Sequence, residues 1–125
     1  MSKGKVLVVD DDPFVLKSVR ATLEGAGYDV VTYRSAITVP LELREQKPDL
    51  VLLDITMPDL VAKDAVKAMK KLRIMEGVPI ILFSSKDEKE LEEAVATAGA
   101  HGYIAKGPDH ELVQGVARFL PRARG

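Results

Sequence analysis

Four short apolar runs in this chain each stop at a polar side chain of a particular kind. Val6–Val9 runs into Asp10-Asp11-Asp12, and Leu50–Leu53 runs into Asp54. Pro79–Phe83 runs into Ser84-Ser85, and Gly102–Ala105 runs into Lys106. The runs are nearly continuous instead of alternating, which is how strands covered on both faces read. If they are parallel strands of one sheet, all four ends fall on the same edge. Carboxylates, a hydroxyl and an ammonium then converge on one small volume, a set suited to a divalent cation and a phosphoryl group.

Stretches of helical spacing separate the runs. Asp12-Pro13 reads as an N-cap followed by proline at the first helical position, and Val15, Val19 and Leu23 share a face behind it. Gly25 and Gly27 should end that helix, with Asp29 to Tyr33 as a second strand. A second helix over Ile37 to Glu45 should be shortened or kinked by Pro40, which lacks a backbone donor. Val66, Met69 and Leu72 line a third helix. Ser85-Lys86-Asp87-Glu88 has the form of a capping box for a fourth, carrying Leu91, Ala94, Val95 and Ala98. A fifth follows Pro108, with Leu112, Val116 and Leu120 inward. Strand and helix repeated five times predict an α/β fold with a parallel sheet and right-handed crossovers. Ligands of such sheets bind beyond the carboxyl ends of the strands.

The 125 residues suit a single domain, residues 1–125, with its core over about 4–120 and a basic tail at 121–125. With 18 Lys plus Arg against 19 Asp plus Glu, no net field draws the chain to nucleic acid or an anionic membrane, so neither is expected as a direct partner. The absence of Cys excludes disulfides and thiolate metal sites and suits a cytoplasmic location. No signal peptide or membrane-spanning run is visible.

An acidic run after a strand is most often a solvated loop that also caps the next helix, and Asp12 fits that description. The joint arrangement asks for more. Two carboxylates about 4 Å apart repel by roughly 4 kcal/mol at an effective dielectric near 20. Gathering Asp10, Asp11 and Asp54 therefore costs stability unless a cation sits among them. Mg2+ is expected, since it takes one or two carboxylates plus water and phosphate oxygens, whereas zinc would want His or Cys. Asp54 is the candidate nucleophile, because a carboxylate can accept a phosphoryl group as an acyl phosphate. That transfer needs in-line positioning and neutralised oxygens more than a proton shuttle. Lys106 would supply a point charge and Ser84 a hydroxyl. Taken singly, Ser84 could be a helix cap and Lys106 a surface lysine. His101 and His110 read as surface residues, not a metal pair.

With these residues in view, the chain resembles the receiver domain of two-component response regulators from Lys5 to Leu120. The resemblance rests on Val-Leu-Val-Val-Asp10-Asp11-Asp12, Asp54-Ile-Thr-Met57-Pro58, Pro79-Ile-Ile-Leu-Phe-Ser84-Ser85 and Gly99-Ala-His-Gly-Tyr103-Ile-Ala-Lys106. It implies a flavodoxin-like, doubly wound (βα)5 sheet with strand order 2-1-3-4-5. It also implies that Asp54 is the phosphoacceptor, Asp11 a carboxylate ligand of Mg2+, and Asp10 a ligand through water. Thr56 would lend its main-chain carbonyl to the metal. Ser84 would move toward the phosphoryl group, Lys106 would bind it, and Tyr103 would follow as an aromatic switch. The phosphoryl donor implied is a histidine kinase or phosphotransfer protein. The output implied is a downstream protein or domain read through helix four, strand five and helix five, a face through which the family often forms homodimers. The chain would then be labelled once per cycle and would not be a turnover enzyme. Thr56 and Lys86 would tune how long the label persists.

The chain departs from that family in three places. Gly107 stands where the family usually has proline in a cis bond, which should leave Lys106 less fixed. The stretch Asp59-Leu-Val-Ala-Lys-Asp64 lacks the usual glycine and is slightly long, and Pro40 interrupts helix two. Two alternatives follow. One is a receiver-like interaction module that works without phosphorylation. The other is a haloacid-dehalogenase-type phosphatase, suggested by the Asp-x-Asp step within Asp10–Asp12. Against the phosphatase stand Pro13-Phe14 after that step and the lack of residues for a substrate cap.

Overall fold

The computed structural model describes residues 2–36, 39–56 and 62–120. Five parallel strands form one sheet: β1 (Lys5–Val9), β2 (Asp29–Tyr33), β3 (Leu50–Asp54), β4 (Ile80–Ser84) and β5 (Gly102–Ala105), in the order β2-β1-β3-β4-β5. Five α-helices alternate with them: α1 (Pro13–Gly25), α2 (Val39–Gln46), α3 (Ala62–Lys70), α4 (Glu88–Ala98) and α5 (Asp109–Phe119). This is the expected architecture and strand order.

The continuous apolar runs have the reason anticipated for them. Val6 to Val9 and Leu50 to Leu53 are fully buried because both sheet faces are covered. Val6, Val8, Leu50, Leu52 and Ile81 pack on one face with residues of α1 and α5. Leu7, Val9, Val51, Leu53 and Leu82 pack on the other with residues of α2, α3 and α4. Register does the rest. Val9 pairs with Leu53, Asp54 with Phe83 and Ser84 with Ala105, so Asp10, Asp54, Ser84 and Lys106 emerge along one edge.

Asp12 caps α1 by accepting the Phe14 N–H at 2.9 Å, with Pro13 in the first turn as expected. Val19 and Leu23 of the expected face are buried and Val15 packs half-buried against the same core, with Leu16 joining the stripe. In α2, Pro40 falls in the first turn, where no backbone donor is required, so it starts the helix instead of kinking it. The cap of α4 is Asp87, which accepts the Glu90 N–H at 2.8 Å; the box proposed from Ser85 to Glu88 does not form. Asp87 wins because the chain is still extended at that residue and turns helical only after it. Gly99 ends α4 at φ 78, a conformation in which a Cβ would be strained. A 3-10 turn over Arg73–Met75, absent from the sequence reading, carries the chain from α3 into β4.

At Gly115, α5 lies so near β5 that a Cβ would come within 2.8 Å of the Ile104 side chain. Met57–Val61, the tail 121–125 and the Ile37 start of the second helix lie outside the described residues. So does the first half, 59–61, of the long Asp59–Asp64 stretch.

Candidate functional site at the carboxyl edge of the sheet

Asp10 follows β1 directly and is completely buried. Its backbone N–H donates to the Tyr33 carbonyl at 3.1 Å, which ties the end of β1 to β2. One carboxylate oxygen, Oδ1, accepts the Asp12 N–H at 2.9 Å, so Asp10 shapes the loop that presents Asp11. The other, Oδ2, faces the Lys106 ammonium 2.9 Å away, an ion pair without an aligned hydrogen bond. Burial pushes the Asp10 carboxyl above the usual carboxylate range. Lys106 and the Asp12 N–H pull it back, and the Asp54 charge pushes it up again.

Asp54 ends β3 and is also buried. Its Oδ1 accepts two hydrogen bonds from Thr56, from the backbone N–H at 3.0 Å and from the hydroxyl at 2.7 Å. Its Oδ2 lies 3.8 Å from the Lys106 ammonium. One oxygen is thus held by a local turn while the other is turned toward positive charge. Oxygens of Asp10, Asp11 and Asp54 all lie within 4.8 Å of one another, with Asp11 exposed at the mouth. Arg34, at the end of β2, reaches the Asp11 carbonyl at 3.4 Å.

Ser84 is buried at the end of β4, and its Oγ accepts the Lys86 N–H at 3.1 Å. Its carbonyl accepts the Lys106 N–H at 2.8 Å, which extends the β4–β5 ladder up to the site. The Lys106 side chain passes over the Phe83 ring, its ammonium 5.3 Å from the ring centre. No cis peptide bond occurs among the described residues, and the Lys106 ammonium lies between the Asp10 and Asp54 carboxylates. Tyr103 lies half-buried in β5 on the side of α4, and its hydroxyl donates to Glu88 Oε1 at 2.9 Å.

Asp10, Asp11, Asp54 and Lys106 therefore share one volume, with Thr56 bonded to Asp54 and Ser84 at the neighbouring strand end. Contacts of geometry were missed by reasoning from sequence, among them Tyr103 on Glu88. The Thr56 hydroxyl bond to Asp54 depends on a turn geometry that composition does not reveal. His101 is exposed as expected, and its Nδ1 also accepts the Ile80 N–H at 3.0 Å. Burial and the Lys70 charge lower its pKa.

A doubly wound parallel sheet with three acids, a hydroxyl and a lysine at its carboxyl edge defines a receiver of the phosphorelay class. Residues 6–117 match the response regulator receiver domain, and the chain belongs to that family. It is 33% identical over 96% of its length to the probable transcriptional regulatory protein TcrX of Mycobacterium tuberculosis. It covers 50% of TcrX, and spans about half or less of the similar regulators KdpE of Escherichia coli and PhoP of Bacillus subtilis. Protein PilH of Pseudomonas aeruginosa is 31% identical, with 88% of this chain and 91% of PilH covered. The chemotaxis response regulator CheY4 of Vibrio cholerae superposes with a TM-score of 0.84 at 26% identity, covering 96% of this chain and 99% of that one. The receiver domain of the sensor histidine kinase PA1611 of P. aeruginosa, solved with a magnesium ion coordinated in its active site cleft, superposes with a TM-score of 0.81. It is 26% identical, with 93% of this chain and 96% of that one covered. The family match favours the receiver over the phosphatase reading. No helix among the described residues is long and apolar enough to cross a membrane.

Proposed function

We propose that Asp54 accepts a phosphoryl group from a phosphohistidine on a histidine kinase or phosphotransfer protein. The observation that carries this reading is the carboxylate cluster of Asp10, Asp11 and Asp54 with the Lys106 ammonium beside it. Three carboxylates facing one ammonium leave excess negative charge, and all the cluster's donors are oxygens. This composition fits Mg2+. Asp11, Asp54 and the Thr56 carbonyl would hold it, with Asp10 acting through water, and the ion would neutralise phosphoryl oxygens and align the donor.

The protein's own groups divide the remaining work. Thr56 binds Asp54 Oδ1 and so leaves Oδ2 as the attacking oxygen. As the new O–P bond forms, the P–N bond of the donor breaks and its electron pair returns to the imidazole. Lys106 meets the charge on one phosphoryl oxygen, and Ser84 donates its hydroxyl to another. The label changes the surface of α4, β5 and α5, where a downstream protein or domain reads it and where two copies would pair. Each event is a single transfer and not a catalytic turnover.

Acetyl phosphate labelling with and without Mg2+, read by intact mass, tests the assignment. One phosphoryl adduct that needs Mg2+ and disappears in Asp54→Asn is expected. An adduct that persists in Asp54→Asn refutes it.

A further inference from the structure

The loop between β4 and α4 has almost no apolar anchor. Every residue from Ser85 to Glu90 is exposed, and the first buried side chain of the helix is Leu91. The loop is therefore positioned by polar contacts, and these come at successive residues. The Lys86 N–H donates to Ser84 Oγ at 3.1 Å inside the site. Asp87 follows and caps α4 through the Glu90 N–H. Glu88 comes next, and its Oε1 accepts the Tyr103 hydroxyl at 2.9 Å on the α4 side of β5. The contacts thus run from the buried site hydroxyl to a half-exposed aromatic ring within five consecutive residues.

We propose that Glu88 is a positioning residue that holds the Tyr103 ring and the β4–α4 loop in the arrangement seen here, opposing the shift of Ser84 toward Asp54. The inference rests on the reading of Asp54 as phosphoacceptor. Ser84 Oγ already accepts the Lys86 N–H, so it approaches a phosphoryl group only by drawing the loop along or by giving up that bond. Drawing the loop moves Glu88, and the Tyr103 hydroxyl must then follow or let go. A phenol that donates to a carboxylate stays protonated, and Glu88 indeed raises the Tyr103 pKa. The contact is solvent-exposed, so it adds little to global stability. It acts instead as a latch, because a contact made in only one of two arrangements biases the equilibrium between them.

The test uses the whole chain with 13C-labelled tyrosine side chains, three in number. Glu88→Ala, Glu88→Gln, Tyr103→Phe and the double variant Glu88→Ala/Tyr103→Phe are compared by NMR and by beryllofluoride binding with Mg2+. Without beryllofluoride, Glu88→Ala should shift and average the Tyr103 ring signals, while Glu88→Gln, which keeps an acceptor, should preserve them. Glu88→Ala and Tyr103→Phe should each bind beryllofluoride about two- to tenfold more tightly, and the double variant no more tightly than either. Ring signals in Glu88→Ala identical to wild type overturn the latch. So does unchanged beryllofluoride affinity in the single variants when wild type binds normally. Failure of wild type to bind beryllofluoride at all counts against the Asp54 reading instead, and the measurement without beryllofluoride then decides whether Glu88 holds the ring.

Discussion

At the carboxyl edge of the sheet, Asp10 and Asp54 are buried close together, and one lysine serves both. At the amino edge, polar groups are matched as they meet. The Lys5 N–H donates to Asp49 Oδ2 at 2.8 Å. Ile80 and His101 exchange two bonds, one from the Ile80 N–H to the imidazole and one from the His101 N–H to the Ile80 carbonyl at 2.9 Å. An acid at the amino edge is a structural acceptor, while an acid at the carboxyl edge is held against the interest of the fold. Acids of that second kind define a candidate functional site, since burial of like charges at one edge asks for a use outside the fold.

The contrast breaks most readily at Lys106. Lys106→Met strips Asp10 of its cation and leaves a buried charge, so the metal-free domain should lose about 3 kcal/mol in urea unfolding at neutral pH. Adding Asp10→Asn to that variant should recover part of the loss. If Lys106→Met costs nothing, the carboxylates are better hydrated than their burial implies.

Removing one acid from each edge should give opposite signs. Asp54→Asn keeps an oxygen for Thr56 but deletes a like charge beside Asp10, so the metal-free domain should gain about 1 kcal/mol. Asp49→Ala leaves the Lys5 N–H without that acceptor and should lose about 1 kcal/mol. Urea titrations of the two variants side by side decide the matter, and equal signs would abolish the distinction between the edges.

Acidity sharpens the comparison further. Asp10 has a raised pKa, so the fold binds more protons than the unfolded chain just above the ordinary carboxylate value of 3.8. Its contribution therefore weakens stability as pH rises through that interval. Asp54→Asn should make the decline shallower. His101 has a lowered pKa, so its contribution is present above its ordinary value of 6.5 and fades as pH falls below it. His101→Asn should flatten that acid-side loss in a thermal-denaturation series, the smallest of these effects.

Strand identity and the gathering of Asp10, Asp54, Ser84 and Lys106 were legible because runs covered on both faces carry an unbroken apolar signal. Parallel order then forces their ends onto one edge. The Asp12-Pro13 cap was legible because two independent preferences agree there. Where two cap candidates stand close together, as at Ser85 and Asp87, composition does not choose between them, and the backbone turn does. The α1 face through Val15, Val19 and Leu23 was legible from spacing, while Leu16 joined it because a helix lying on a sheet buries more than a single line of residues. Thr56 on Asp54, His101 on Ile80 and Tyr103 on Glu88 are contacts of geometry. No residue in those pairs advertises its partner.

The ammonium of Lys106, placed 2.9 Å from Asp10, gives the acidic pocket a resident counter-ion supplied by the polypeptide itself. Because that cation is tied to the backbone, it cannot be dialysed away, and this share of the pocket's charge balance is independent of the salts in solution.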